Sequence, residues 1–287
     1  MISPEVWKEI LKIFYAVRKS VENVFAGDYK SVFKGQGLEF SEVREYIPGD
    51  DFRSIDWKVT ARYGHPYIKK FVEERELTLI ILLDTSTSLD FGTVRSKKEL
   101  AAELTALLSW AAIVNNDRIG MLIFSDKVEK YIRPRKGKHQ ILTLIREVLA
   151  SPSTGKKTDL KTALEYLYKM TRKRAIIFII SDFMCSDYEK PLSILCRKHE
   201  VIPIFISDPW EEDLALKGSL YSEDTETGGF YYIDSGKRKR IKNDLTQLRS
   251  ETRKIFNDTG IDHLELYTDR SYLKDLFLFF RRRFNKR

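Results

Sequence analysis

Beyond residue 77 the chain alternates between apolar runs and segments whose apolar residues recur at helical spacing. A continuous apolar run is typical of a strand that is buried on both faces. The pattern predicts strands over residues 77–84, 117–125, 174–183, 201–208 and 261–269. Residues 127–134 instead alternate apolar and polar positions, which predicts a short edge strand that stops at Pro134.

Helical spacing predicts the elements between these strands. Residues 98–116 repeat leucine at positions 100, 104, 107 and 108, and similar faces occur around residues 141–149, 158–170, 241–258 and after Ser271. The alternation predicts the α/β class, with a doubly wound, mostly parallel sheet covered on both faces. In such sheets ligands bind at the carboxyl ends of strands. Three of the predicted strands end in an acid, namely Asp84, Asp182 and Asp208.

The first 76 residues have a different pattern. Residues 1–30 carry charges among their apolar positions, which predicts an amphipathic helix rather than a signal peptide. Residues 31–76 combine short apolar pairs, many charges and Gly/Pro punctuation, which predicts a β-rich segment, although residues 54–61 could form a helical turn. Pro48-Gly49 suits the centre of a type II turn. Residues 77–287 then form the main domain.

A second hairpin pattern occurs late in the main domain. Residues 218–235 resemble a hairpin with Gly228-Gly229 at its turn. The surrounding segment, residues 209–236, could pair in space with residues 31–76.

Composition limits the classes of protein to consider. Hydrophobic residues are 43% of the chain, and no apolar stretch reaches the roughly 20 residues of a membrane-spanning helix. We therefore expect a cytoplasmic protein. The only two cysteines, Cys185 and Cys196, are expected to be reduced thiols. The net charge of +8 is concentrated in residues 237–242 and 281–287, which are either solvated or contact an acidic partner, a membrane surface or nucleic acid.

One group of polar residues points to chemistry at the strand ends. Asp84, Ser86 and Ser88 form a D-x-S-x-S loop directly after the first buried strand, Thr158 precedes a predicted helix, and Asp182 ends another strand. Hydroxyls and carboxylates are hard oxygen ligands that suit Mg²⁺ or Mn²⁺. Two structural alternatives remain open. Asp84 and the serines could simply close a turn, and Thr158 could be a helix cap.

This arrangement resembles the von Willebrand factor A-like domain and its metal-ion-dependent adhesion site. The resemblance implies that Ser86, Ser88 and Thr158 ligate the metal directly, whereas Asp84 and Asp182 act mainly through bound waters. It also implies that the ion takes a Glu or Asp from a partner protein in its open position.

A wider resemblance covers nearly the whole chain. Residues 35–76 and 207–235 resemble two blocks of a large prokaryotic family that is labelled a domain of unknown function. Its members are commonly encoded beside MoxR-type AAA ATPases. The resemblance implies such an ATPase as the partner but implies no biochemical activity. Our hypothesis is a non-enzymatic, metal-dependent interaction protein that serves as an adaptor for the ATPase or recruits its client.

Two other functions stay open as alternatives. A haloacid-dehalogenase-like phosphatase would use Asp84 as nucleophile, but it needs a second Asp two positions on, and position 86 is Ser. A nucleic-acid-binding protein would use the two basic segments, or Trp57 and Tyr63 among the basic residues of the 31–76 segment. Several acids in that same segment would repel phosphates, which argues against nucleic acid as the partner.

Overall fold

The computed structural model describes residues 39–72, 76–151, 157–212, 220–223, 230–233 and 235–285. The chain divides into two compact units, one over residues 33–77 and the other containing Thr78 and everything after it. The predicted N-terminal helix over residues 1–30 lies outside the described residues.

The small unit is a two-stranded sheet with a short helix. Strands β1 (Glu39–Glu45) and β2 (Tyr67–Val72) pair antiparallel, and helix α1 (Trp57–Tyr63) lies between them in the chain. The helical alternative considered for residues 54–61 is therefore realised in part. The type II turn at Pro48-Gly49 is also present, because Gly49 has a φ of 110° and the Asp50 N–H donates to the Ile47 carbonyl.

Acidic side chains hold this small unit together internally. Asp50 forms a two-pronged ion pair with Arg44, with oxygen–nitrogen distances of 2.7 and 2.8 Å. Asp51 caps the 3₁₀ turn Phe52–Ser54, and Asp56 caps α1 by accepting two backbone N–H bonds. These three carboxylates are thus committed to the fold of their own unit.

The large unit is built on a six-stranded sheet in the order β10-β7-β6-β3-β4-β5. All neighbouring pairs are parallel except β4 with β5. The strands are β3 (Thr78–Asp84), β4 (Arg118–Phe124), β5 (Val128–Arg135), β6 (Ile176–Ser181), β7 (Glu200–Ser207) and β10 (Leu264–Tyr267). Counted along the chain, this is the 3-2-1-4-5-6 order of a Rossmann-type doubly wound sheet, with its switch point between β3 and β6.

Helices connect the strands and cover the sheet. They are α2 (Lys97–Val114), α3 (Lys138–Ala150), α4 (Leu160–Met170), α5 (Glu189–Lys198), the short α6 (Pro209–Glu212), α7 (Ser235–Asp258) and α8 (Leu273–Asn285). Alternate residues of each strand face opposite layers. Ile177 packs in the core with α4, α5 and α7, whereas the ring of Phe178 contacts Phe280 of α8. The predicted doubly wound, mostly parallel α/β fold is confirmed.

Three details differ from the sequence prediction or extend it. Strand β5 continues through Pro134 to Arg135, because proline is tolerated on an edge strand. Helix α5 was not predicted, since Pro191 interrupts its pattern, but proline is tolerated in the first turn. Strands β8 (Leu220–Glu223) and β9 (Phe230–Ile233) pair antiparallel as the hairpin pattern predicted, and their turn lies outside the described residues.

Within the described ranges, no helix combines the length and apolarity needed to cross a bilayer.

Candidate metal centre

Two buried acids lie at the switch point of the sheet. Asp84 is the last residue of β3, and Asp182 directly follows β6, the neighbouring parallel strand. Each carboxylate is only 1% exposed. Because the carboxyl ends of parallel strands meet at one edge, these two acids share the crevice in which doubly wound sheets bind ligands.

The hydroxyls of the loop after β3 fall into two groups with different contacts. The Thr85 backbone N–H and hydroxyl both donate to the Phe124 carbonyl of β4, which ties the loop to the sheet. The Ser86 N–H donates to Asp84 Oδ1 at 2.9 Å, and this turn brings Ser86 Oγ to 3.0 Å from Ser88 Oγ. Ser86 and Ser88 therefore converge, whereas Thr85 has a structural role.

The Asp84 carboxylate is held in an unfavourable electrostatic environment. The Ser181 hydroxyl donates to its Oδ2 at 2.6 Å, and the Ser86 N–H donates to its Oδ1. Burial and the negative charge of Asp182 nevertheless raise the pKa of Asp84 well above its ordinary value. A cation placed between the two acids would relieve the repulsion.

Thr158 comes to the same edge through its neighbour. The Asp159 N–H donates to the Ser125 carbonyl at the end of β4, at 2.7 Å. Asp159 is also the N-cap of α4, because its carboxylate accepts from the Thr162 N–H at 3.0 Å. The alternative that Thr158 caps this helix is therefore wrong. Thr158 is half-buried in the loop just before the cap.

A buried lysine that the sequence analysis did not single out contacts one of these two acids, Asp182. Lys97, at the start of α2, is 1% exposed, and its Nζ donates to Asp182 Oδ2 at 2.9 Å. The same ammonium contacts Glu211 of α6, whose other oxygen lies 3.0 Å from Arg249 of α7. Burial alone would lower the pKa of Lys97, but the charges of Asp182 and Glu211 outweigh it and raise that pKa.

The signal for Lys97 was present in the chain. It precedes Leu100 by three residues and Leu104 by seven, so it lies on the buried stripe of α2. A lysine in such a stripe needs an acidic partner in the interior, because an unpaired buried charge is costly.

The third strand-end acid has a structural role. Asp208 accepts hydrogen bonds from the backbone of Thr93 and Trp210 and from the hydroxyls of Thr93 and Thr268. Burial raises the pKa of Asp208, but these hydrogen bonds more than offset it and hold the pKa below its ordinary value. Asp208 therefore fastens loops at the β7 and β10 end of the sheet.

The donor set fits a small divalent cation. In octahedral Mg²⁺ coordination with bonds of about 2.1 Å, neighbouring oxygen ligands are about 3.0 Å apart. The Ser86 and Ser88 hydroxyls, which form a hydrogen bond with each other, have this spacing of 3.0 Å. Within the described ranges, no three His, Cys, Asp or Glu side chains form a metal-binding group, so an ion here would depend on the hydroxyls.

The thiol of Cys185, whose pKa responds to the charges of both acids, is a poor nucleophile. Burial, together with the charges of Asp84 and Asp182, raises the pKa of Cys185 far above its ordinary value. Burial also raises the pKa of Cys196, to about 11. Both cysteines are free, as expected from the sequence.

The sheet order and the D-x-S-x-S loop at its switch point define a domain of the von Willebrand A-like class. The chain belongs to the family described as "Protein of unknown function DUF58", which matches residues 42–255.

Individual relatives and solved structures resemble this chain. It is 30% identical over 282 residues to the uncharacterized protein Mb1516 of Mycobacterium bovis, with 96% of this chain and 89% of that protein covered. Its fold is similar to that of the conserved hypothetical protein BatB from Bacteroides thetaiotaomicron, at 14% identity and a TM-score of 0.49, with 74% of this chain and 100% of that one covered. It is also similar to the SpRpn10 VWA domain, at 12% identity and a TM-score of 0.39, over 70% of this chain and 94% of that one.

Proposed function

We propose that this protein is a non-enzymatic interaction module that binds a partner through Mg²⁺ or Mn²⁺. Ser86, Ser88 and Thr158 hold the ion directly, and Asp84 and Asp182 hold it through waters. A Glu or Asp of the partner completes the coordination. The observation that carries the proposal is the hydroxyl pair, 3.0 Å apart, beside the two buried acids at the switch point.

The chemistry of the surrounding side chains supports binding rather than catalysis. Position 86 offers a hydroxyl where a haloacid-dehalogenase-like phosphatase needs a general acid. Burial and the charges of Asp84 and Asp182 raise the pKa of Cys185, which disfavours its thiolate as a nucleophile. The acids Asp50, Asp51 and Asp56 are committed to hydrogen bonds inside the small unit, which supports an internal network there rather than a nucleic-acid surface.

The partner we propose is a MoxR-type AAA ATPase or a client of that ATPase. The support is the sequence resemblance of residues 35–76 and 207–235 to blocks of a family encoded beside such ATPases. In this role the protein is an adaptor in protein maturation or complex assembly, and it works in the cytoplasm.

Calorimetric titration with Mn²⁺ and Mg²⁺ tests the metal site. We expect Asp84→Ala and Ser86→Ala to weaken binding by about tenfold or more, because each removes a group that holds the ion. Thr87→Val is the matched control. Thr87 lies between the two serines in sequence, and its buried hydroxyl has no hydrogen-bond partner among the described residues. Valine has the same shape as threonine but lacks the hydroxyl.

The outcomes separate the alternatives. Equal binding by wild type and Asp84→Ala, or no binding by either, contradicts the assigned site. Loss of binding in Thr87→Val would mean that the ion uses a different hydroxyl of the loop. Hydrolysis of a generic phosphate ester that disappears in Asp84→Asn would favour the phosphatase instead.

The partner is tested with purified components. We expect a purified MoxR-type ATPase to bind the immobilised wild-type protein in Mg²⁺, and to bind it at least tenfold more weakly in chelator or with Ser86→Ala. Binding that is unchanged by both treatments would show a metal-independent contact and contradict the proposed mode.

A further inference from the structure

Four buried or half-buried side chains of alternating charge lead away from the candidate metal centre. They are Asp182, Lys97, Glu211 and Arg249, and consecutive members are in contact. They come from four different elements, namely the end of β6 and the helices α2, α6 and α7. Asp182, Lys97 and Arg249 are at most 5% exposed, so water screens these charges little.

The arrangement fixes the charge that a bound ion would meet. The charges of these four residues cancel, so the ionised form of Asp84 adds a single negative charge to the group. A divalent ion at Ser86 and Ser88 would therefore keep one uncompensated positive charge. Sites that hold divalent ions tightly by protein groups alone use more carboxylates than this.

Lys97 also restricts the geometry of Asp182. Its ammonium takes Oδ2 of Asp182 at 2.9 Å, whereas Oδ1 has only a long contact of 3.4 Å from the Met184 N–H. Oδ1 is thus the oxygen left to face an ion or its bound water. The lysine orients this carboxylate and at the same time weakens its attraction for a metal.

We infer that Lys97 sets the metal affinity of this site and makes retention of the ion depend on the partner's carboxylate. This inference rests on the function proposed above and names the residue that controls it. Without a partner, the ammonium competes with the metal for the charge of Asp182. With a partner, the incoming carboxylate supplies the negative charge that Lys97 has neutralised, so metal and partner stabilise each other.

The test is calorimetric titration of Mn²⁺ into the full chain, with and without acetate as the probe for a partner's carboxylate. In wild type we expect weak binding that acetate strengthens. Lys97→Met removes the competing cation, and we expect binding about tenfold tighter with a smaller gain from acetate. Glu211→Gln removes the second partner of the ammonium, and we expect binding several-fold weaker with a larger gain from acetate.

The two variants are expected to change the Mn²⁺ affinity in opposite directions, which distinguishes control by charge from a structural role. Both substitutions disturb the same buried group, so a merely structural lysine predicts that both weaken metal binding, and that result overturns the inference. Lys97→Arg keeps the charge and is expected to bind Mn²⁺ as wild type does. Thermal unfolding of each variant shows which are folded. If Lys97→Met is unfolded, the effect of acetate on Glu211→Gln decides: weaker binding with a larger gain from acetate than in wild type supports the inference, and any other result overturns it.

The proposed function and the inference fail in different ways. If wild type binds Mn²⁺ and Lys97→Met binds it no more tightly, the inference is wrong and the function stands. If wild type does not bind Mn²⁺ under either condition but Lys97→Met does, Lys97 controls the site while the metal-dependent function is contradicted. If neither protein binds Mn²⁺, both are wrong.

Discussion

His199 lies buried at the end of α5, where its ring is kept neutral. Its Nδ1 accepts the Ala175 N–H at 3.2 Å, and its Nε2 is buried without a hydrogen-bond partner among the described residues. Burial, with a smaller effect from the Lys198 charge, lowers the pKa of His199 to about 4. This pKa is below that of a histidine in the unfolded chain. The neutral His199 ring therefore contributes stability that is present above about pH 6.5 and is lost as the pH falls toward 4.

His199→Gln is expected to remove this pH dependence. Between about pH 7.5 and pH 5, wild type should lose about 2 kcal/mol of unfolding free energy relative to the variant. Urea denaturation of both proteins at the two pH values measures the difference, in which the titration of other groups cancels. A difference that is the same at both pH values would show that His199 titrates normally in the folded protein.

The residues of the candidate site differ in how visible they are in the sequence. Asp84, Ser86 and Ser88 are close in sequence, and a loop that follows a buried strand brings such residues together. Asp182 could be predicted as part of the site because it follows a parallel strand, and the carboxyl ends of parallel strands meet at the same edge of the sheet. Lys97 and Glu211 were missed, because their pairing depends on how α2 and α6 pack over the sheet, 114 positions apart in the chain.

At the scale of elements, the position of the edge strand β5 depends on a glycine in β4, Gly120. A Cβ at Gly120 would lie 2.6 Å from the Ile132 carbonyl oxygen and 2.7 Å from the Pro134 nitrogen. The β4–β5 register shifts beside this glycine, between Ile119 and Met121. Gly120 therefore allows the backbone of β5 to approach closely, including its proline.

Gly120→Ala is expected to lower the free energy of unfolding by about 2–4 kcal/mol, because backbone atoms must move to make room. Gly260→Ala is the comparison in the same unit. Its Cβ meets nothing within 4 Å, but its φ of 68° should cost about 1 kcal/mol. Urea denaturation of the two variants gives both values. A smaller loss at Gly120 than at Gly260 would show that β5 shifts easily.

Elements with a regular pattern could be predicted, and those that depend on exceptions could not. The buried strands β3, β6 and β7 follow from apolar runs that any packed parallel sheet requires. Helix α5 was missed because proline in its first turn resembles a break until the preceding loop is known. The predicted end of β5 was one residue short for a related reason. Only the strand pairing shows whether a backbone N–H is needed at Pro134.

At the scale of the whole molecule, the candidate site belongs to the large unit alone. Asp84, Ser86, Ser88, Thr158 and Asp182 all follow residue 77, as do the charged residues that contact Asp182. A fragment over residues 77–287 is therefore expected to bind Mn²⁺ within about twofold of the full chain. Calorimetry measures this, and circular dichroism confirms that the fragment is folded. A folded fragment that fails to bind would show that metal binding depends on residues 1–76.

The basic residues near the end of the chain, within residues 281–287, have more than one role. Arg281 and Arg282 are exposed on α8, as the solvated interpretation of this segment expects. Arg283 instead pairs with Glu200 at 2.7 Å and lies 3.5 Å from Asp262. Part of the basic tail therefore holds α8 to the body of the domain, and a count of charges overstates what is available to a partner.

The alternating charges of Asp182, Lys97, Glu211 and Arg249 have a consequence for how this family changes over time. Neutralising one member leaves its neighbour unmatched in an interior that water does not reach, which is strongly destabilising. A substitution at one position therefore lowers stability, and a matching change at the next position restores it. We therefore expect the four residues, spread over four elements, to vary together, so that a relative keeps all of these charges or has replaced them jointly.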